Sequence, residues 1–216
     1  MWQYITDSYN WSGNEGIWAR IIQHVWYTFA ALGLSVLIAL PLGLRIGHTR
    51  RGAFVAINVG NAARALPSLG LLMIAVLLTN DIGFLPVLIA LVALGVPPIL
   101  ASTYAGVSGV DPDTIDAARG MGMTGREILT KVEIPIALPL IISGMRSATL
   151  QIVSTATIAA LVSLGGLGRY VIDGLKLRDF PQMFTGALLV ALLALLLDVL
   201  FALIGRMTVS EGLKIG

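Results

Sequence analysis

Apolar runs long enough to cross a bilayer recur along this chain, and the polar stretch 111–135 is the only long interruption between them. A transmembrane helix needs roughly 20 mostly apolar residues, and in lipid each backbone polar group must be bonded within its own helix or a closed barrel. With 56% hydrophobic and only 12% charged residues among 216, the chain lies outside the range of soluble globular domains. The expectation is an all-α integral membrane protein. Its spans fall at about 23–44, 53–78, 84–107, 136–162 and 183–205, five in all. These 216 residues leave no room for a fused ATPase or binding domain, and no Gly-x-x-x-x-Gly-Lys-Ser/Thr phosphate loop occurs. Nucleotide chemistry, if used, comes from another polypeptide. Cysteine is absent, which excludes disulfides and thiol chemistry.

Residues 1–22 carry Asp7 and Glu15 and lack the basic start of a signal peptide, so they read as a retained segment. Trp2, Trp11 and Trp18 lie here with Tyr4 and Tyr9, and Trp26 and Tyr27 follow, as expected for a belt at the bilayer surface. His24 and His48 stand alone near opposite ends of the first span and read as solvated helix-end histidines, with no metal site. In the second span Pro67 removes a backbone hydrogen bond and should break or kink the helix. Asn61, Arg64 and Ser68 recur at three- and four-residue spacing and share a face. Asp198 is the one charge in the fifth span, at a depth close to that of Arg64, and the two are expected to pair within the membrane. Pro97-Pro98 should bend the third span. Ser143, Ser147, Gln151 and Thr155 repeat every four residues in the fourth span, a polar stripe that serves either as interhelical glue or as a wetted pathway. Between the last two spans, Tyr170, Ile172, Leu175 and Leu177 could press a short helix onto the surface, and Gly165, Gly166 and Gly168 suit an external gate or a plain loop.

The polar stretch reads as a helix-turn-helix elbow. Asp111 can cap a helix with Pro112 at its first position, running toward Gly120 and Gly122, where glycine permits a sharp turn. Thr124 and Glu127 stand at capping-box spacing, so a second helix starts near Gly125 and leads to Pro135, which can open the next apolar segment. Ala117, Ala118 and Gly122 are small enough to let another surface approach the backbone, while Asp116 and Arg119 can fix register.

Asp116, Ala117, Ala118 and Gly122, followed by Val132, Ile134 and Pro135, resemble the EAA loop of the permease subunits of ABC importers. Asp116 stands where the family usually has glutamate, and Val132 where it often has isoleucine, both keeping the chemical type. Three further runs look like the permeases of osmoprotectant importers: Ala63 to Leu69, Asp116 to Met123, and Ser154 to Leu161 with Gly165 to Gly168. The resemblance implies the type I ABC importer permease fold, with residues 23–216 as transmembrane domain and 111–135 as the cytoplasmic coupling elbow. It also implies docking of Asp116, Ala117, Ala118, Arg119 and Gly122 on a cytoplasmic ATPase dimer, a second permease subunit of the same or a related chain, and an external binding protein. ATP and magnesium would then reside on the ATPase, with no cofactor and no catalytic residue on this chain. Asn61, Arg64, Pro67, Ser68, Ser147, Gln151 and Thr155 are candidates for the pathway or a gate.

Charge distribution agrees with an elbow in the cytoplasm. With the amino terminus outside, Arg45, Arg50, Arg51, Arg119, Arg126, Lys131, Arg206 and Lys214 are cytoplasmic, against Arg20, Arg169, Lys176 and Arg178 outside. The expected function is import of a quaternary-ammonium osmoprotectant across the bacterial cell membrane by alternating access. An ABC permease for an amino acid or other small solute is the alternative. A gradient-driven transporter would show internal repeats and mid-membrane carboxylates, and here only Asp198 stands at such a depth. Membrane lipid is a partner in every case, and nucleic acid is not.

Overall fold

The computed structural model describes residues 2–52, 54, 58 and 67–208, and within these the chain is helical. The helices are α1 (Gln3–Thr6), α2 (Ile17–Thr49), α3 (Ser68–Thr79), α4 (Phe84–Ser108), α5 (Pro112–Gly120), α6 (Gly125–Val162), α7 (Gly168–Leu177) and α8 (Phe180–Thr208). Among the described residues α2, α4, α6 and α8 are long and apolar enough to cross a membrane, and α3 is a shorter apolar helix. Their apolar character on most faces, with many large side chains exposed, is that of helices surrounded by lipid or by other chains.

Four features of these helices have local causes. The helix that carries the first span begins at Ile17, ahead of the expected start of the span near Gln23, because Ile17 and Ile21 continue the apolar face of α2 into a buried cluster. Within 53–78, α3 starts at Ser68 directly after Pro67, whose backbone is extended (φ −69°, ψ 120°) at the position where the sequence places a helix break or kink. Asn61 and Arg64 lie outside the described residues, and so does the expected Arg64–Asp198 pair. Pro97 and Pro98 sit inside α4, Phe84–Ser108, where a bend is expected and membrane helices tolerate proline. Finally, α6 does not stop at Pro135: it runs from the elbow through a π turn at Leu129–Glu133, an α stretch at Ile134–Thr155 and a 3-10 turn at Ala156–Val162.

The chain forms two compact units. The first comprises Met1–Leu34, Leu66–Gly95 and Thr149–Asp198; the second comprises Ser35–Ala65, Val96–Ala148 and Val199–Gly216. In the first, Ile17, Leu167, Tyr170 and Leu189 form a buried cluster, joined by Tyr4, Ile5 and Trp11 from the amino-terminal turns. The aromatic amino terminus is therefore partly core: Tyr4 meets Tyr170 edge-on at 5.7 Å, and the Trp11 indole N–H donates to the Ile5 carbonyl at 2.8 Å. Trp2, Tyr9, Trp18 and Trp26 remain exposed, as a belt requires.

In the second unit, glycines set the helix crossings. Gly43 and Gly47, one turn apart on α2, face Thr103 and Val107 of α4; a Cβ at either would lie 2.7 Å from the opposing Cβ. On the other side of α4, Gly106 faces Ala137, and Gly144 faces Ser102, with similar closeness. Small residues at three- to four-residue spacing let backbones approach where lipid supplies no hydrophobic drive for helices to associate. Val107, Ala137 and Ile141 fill the space beyond these crossings with Leu40, Leu44 and Met145.

Candidate functional site

The elbow in the second unit forms as its residues dictate. The Asp111 carboxylate accepts from the Asp113 backbone N–H at 2.9 Å, Pro112 occupies the first turn, and α5 ends at Gly120. Gly122 then turns the chain at φ +84°, where a side chain would be strained, and a Cβ there would meet nothing within 4 Å. Its conformation thus requires glycine for the turn, and the surrounding space is open to a partner.

The capping box starts α6. The Thr124 hydroxyl accepts from the Glu127 N–H at 3.4 Å, and the Thr124 N–H donates to Glu127 Oε2 at 3.0 Å. Lys131 adds an ion pair to Glu127 at 2.9 Å. The Thr124 backbone N–H, then the Lys131 ammonium and the Thr124 hydroxyl, hold the exposed Glu127 carboxyl down at about 2.

The inner faces of the two elbow helices close on Val110, Ile115, Ala118 and Ile128. Ala118 is only 2% exposed, so its small size serves the hairpin's own packing, not an approaching surface. Asp116, Ala117, Arg119 and Gly122 point outward, and Arg119 donates to Asp116 at 3.2 Å across one turn. A cleft of about 540 Å³ opens beside them, with Asp116 and Arg119 on one side and His48, Arg50 and Glu133 on the other. His48 lies in the last turn of α2, as the sequence suggested, but is only part-exposed and has a partner. Its Nδ1 donates to Glu133 Oε2 at 2.5 Å, and Glu133 is buried.

The first unit holds the other feature that position along the chain concealed. His24, read as solvated, has no exposed surface. Its Nε2 donates to the Val153 carbonyl at 2.9 Å, and its Nδ1 accepts from the Leu167 N–H at 3.3 Å, a pattern that selects the neutral Nε2–H tautomer. The adjacent Gln23 Oε1 accepts from the Gly166 N–H at 2.9 Å and from Arg20 at 3.1 Å. The glycine turn before α7 is thus bolted to α2 at two successive amides. Gly166 takes φ +86°; a Cβ on Gly165 would overlap the Gln23 amide, and one on Gly168 the Thr157 carbonyl.

Of the α7 residues expected to press this helix onto the surface, Tyr170 packs into the chain. Its hydroxyl donates to the Glu15 carbonyl at 2.8 Å, and burial pushes its ionisation up to about 12. Leu175 and Leu177 are exposed instead; Gly174 takes the inner face because a Cβ there would strike the backbone of Met183.

The polar stripe of α6 is exposed along only part of its length. Ser143 and Ser147 are exposed in the second unit, and Gln151 and Thr155 are half-buried in the first. The neighbouring face, one residue on, carries the buried Gly144, Ala148, Ile152 and Ala156. Pro67 is exposed and Ser68 half-buried. Asp198 is half-buried in α8. No group of three or more His, Cys, Asp and Glu residues able to hold a metal ion occurs among the described residues.

Comparison with known proteins agrees with both the elbow and the long apolar helices. Residues 31–209 match the family of the binding-protein-dependent transport system inner membrane component. The chain is 35% identical over 192 residues to the glycine betaine/carnitine/choline transport system permease protein OpuCB of Bacillus subtilis, covering 89% of this chain and 88% of that protein. It is likewise 35% identical over 186 residues to the osmoprotectant import permease protein OsmY of Salmonella typhimurium, covering 85% and 78%. In fold it is similar to the inward-facing MetNI methionine ABC transporter, with a TM-score of 0.77 at 23% identity over 90% of this chain and 98% of that one. The capped elbow and the membrane helices around it are thus those of a multi-pass, non-enzymatic transport subunit, and the chain belongs to the family of binding-protein-dependent transport system inner membrane components.

Proposed function

We infer that this chain is the permease subunit of an ATP-driven importer that moves a quaternary-ammonium osmoprotectant, such as glycine betaine, choline, carnitine or proline betaine, into the cell. The observation that carries the reading is the elbow: a rigidly capped hairpin whose outward face presents Asp116, Ala117, Arg119 and Gly122. The substrate class rests on relatives such as OpuCB and OsmY, whose names specify these solutes or osmoprotectants.

Residues 1–22 form an external interfacial segment, 23–216 the transmembrane domain, and 111–135 the cytoplasmic elbow. The carboxyl terminus is cytoplasmic, and the excess of Lys and Arg on the elbow side supports that orientation. ATP binding and hydrolysis belong to a separate ATPase dimer that carries the nucleotide and magnesium. Closure of that dimer moves the elbow, the spans reorient, and the pathway opens alternately to either side. Asp116, Ala117, Arg119 and Gly122 contact the ATPase, with Ala118 supporting them from within the hairpin.

The pathway lies where two permease subunits meet. The polar stripe supports this, because Ser147 is exposed and Gln151 and Thr155 are only half-buried along one face of α6. Asn61, Arg64, Pro67 and Ser68 contribute a gate, and Arg64 pairs with Asp198 within the membrane. The glycine turn at Gly165 to Gly168, held by Gln23 and His24, is the external gate.

The deciding experiment is copurification from mild detergent, followed by ATPase assays with and without betaine-loaded binding protein. A bound ATPase whose hydrolysis rises with loaded binding protein is the expected result. An intact, folded permease that retains no ATPase would refute the reading, and stimulation by a loaded amino-acid-binding protein in place of the betaine one would reassign the substrate.

A further inference from the structure

Glu133 is 3% exposed, a carboxylate buried where the elbow passes into the membrane-spanning part of α6, and the docking surface does not use it. It is the last residue of the π turn Leu129–Glu133. Such a turn inserts a residue into an α-helix and is frequent at functional sites. A buried carboxylate needs a charged or strongly donating partner. Glu133 finds one 85 residues earlier in the chain, in the His48 Nδ1 at 2.5 Å. His48 stands in the last turn of α2, and its Nε2 comes within 3.5 Å of the point a Cβ on Gly125 would occupy, so the ring lies across the start of α6.

Two residues later α2 reaches the other leg of the elbow. Arg50, in a left-handed conformation at φ +55°, donates to the Val110 carbonyl at 3.4 Å. Val110 is where the chain leaves α4 for the elbow, and Glu133 is where it re-enters a span. The end of α2 thus holds both legs. The cleft of about 540 Å³ is lined both by this end of α2 and by the exposed Asp116 and Arg119 of α5.

We propose that His48 and Glu133 form a positioning clasp that makes the first long helix follow the elbow, so that displacement of the elbow is transmitted to α2 rather than absorbed at the cleft. This rests on the elbow being the ATPase-coupling element. The clasp touches neither substrate nor nucleotide; it acts through the placement of α2.

The test uses the full complex of permease, ATPase and betaine-loaded binding protein in proteoliposomes, with transport turnover measured per assembled complex. The His48→Asn and His48→Gln variants are the decisive pair. The Asn amide nitrogen falls near the Nδ1 position and can donate to Glu133, whereas that of Gln falls near Nε2 and cannot. We expect His48→Asn to keep kcat within about threefold of the parent, and His48→Gln and Glu133→Ala each to lower it about tenfold, with KM for loaded binding protein unchanged. The His48→Gln/Glu133→Ala double variant should be no slower than either single change, as for two members of one unit. Equal turnover of the Asn and Gln variants, or a full kcat in Glu133→Ala, would overturn the clasp. Loss of assembled complex with normal turnover in what remains would make the pair purely structural and would overturn it too. Absence of ATPase from the parent complex would instead overturn the coupling reading on which the clasp rests.

Discussion

The elbow and the glycine turn before α7 are both short, glycine-containing connections between helices, yet they are held by opposite means. The elbow is stabilised locally: the Asp111 cap, the Thr124–Glu127 box, and the Asp116–Arg119 and Glu127–Lys131 pairs each join residues within four positions of one another. The glycine turn is held by bonds from Gly166 and Leu167 to Gln23 and His24, each spanning 143 positions. Exposed local devices can be exchanged for water with little loss, while buried amides cannot. A surface that a partner must grip can be assembled from the first kind; a turn that closes over a membrane helix needs the second.

The largest effect should come from Gly168→Val. Its Cβ would fall on the Thr157 carbonyl, backbone that cannot move aside, so the variant should fail to accumulate as folded protein in detergent size-exclusion chromatography. Normal accumulation would show that the turn tolerates repacking. Next come Gln23→Ala and His24→Ala. Each leaves a backbone N–H without its acceptor, at Gly166 and Leu167 respectively, for a cost of about 1–3 kcal/mol. Thermal unfolding in detergent measures it, and a loss no larger than that of an elbow variant would erase the contrast between the two regions.

In the elbow, Gly122→Ala should cost about 1–2 kcal/mol from the left-handed backbone alone, because its Cβ meets nothing. Thr124→Ala removes an N-cap, worth about 1 kcal/mol. Glu127 sharpens the case through pH. Its carboxyl is lower folded, at about 2, than the ordinary 4.5. Its contribution is therefore complete above about pH 4.5 and lost as pH falls toward 2. Elbow stability measured from pH 5 to 8 should be flat on its account. Smallest of all, Asp116→Asn should shift stability by less than about 0.5 kcal/mol, since both partners are largely exposed. If Asp116 grips the ATPase, the same substitution should still reduce copurification of that partner, which separates docking from stability.

These differences explain what could be read directly from the residues. The helix-turn-helix of the elbow, its caps and its turn at Gly122 were legible because each depends on neighbours three or four positions away. The long apolar helices were legible from length and composition. The histidines were not. His24 and His48 stand near opposite ends of one helix with no other histidine near them in sequence, and their partners Val153, Leu167 and Glu133 carry no local sign of the pairing. Ala118 was misread for the same reason: a small residue in a motif does not reveal which way its face turns, and here it turns inward onto Ile115 and Ile128.

Composition and local spacing alone therefore determined that this chain is a bundle of membrane helices with one polar, capped elbow. Hydrocarbon requires long helices with internally satisfied backbones, and capping chemistry acts within a single turn. Only the tertiary structure decided that Glu133 is buried against the end of α2 and that a neutral His24 clasps the turn before α7. Both bonds close loops of more than eighty residues, and such contacts are set by how helices pack around glycines such as Gly43, Gly47 and Gly168, not by the residues beside them.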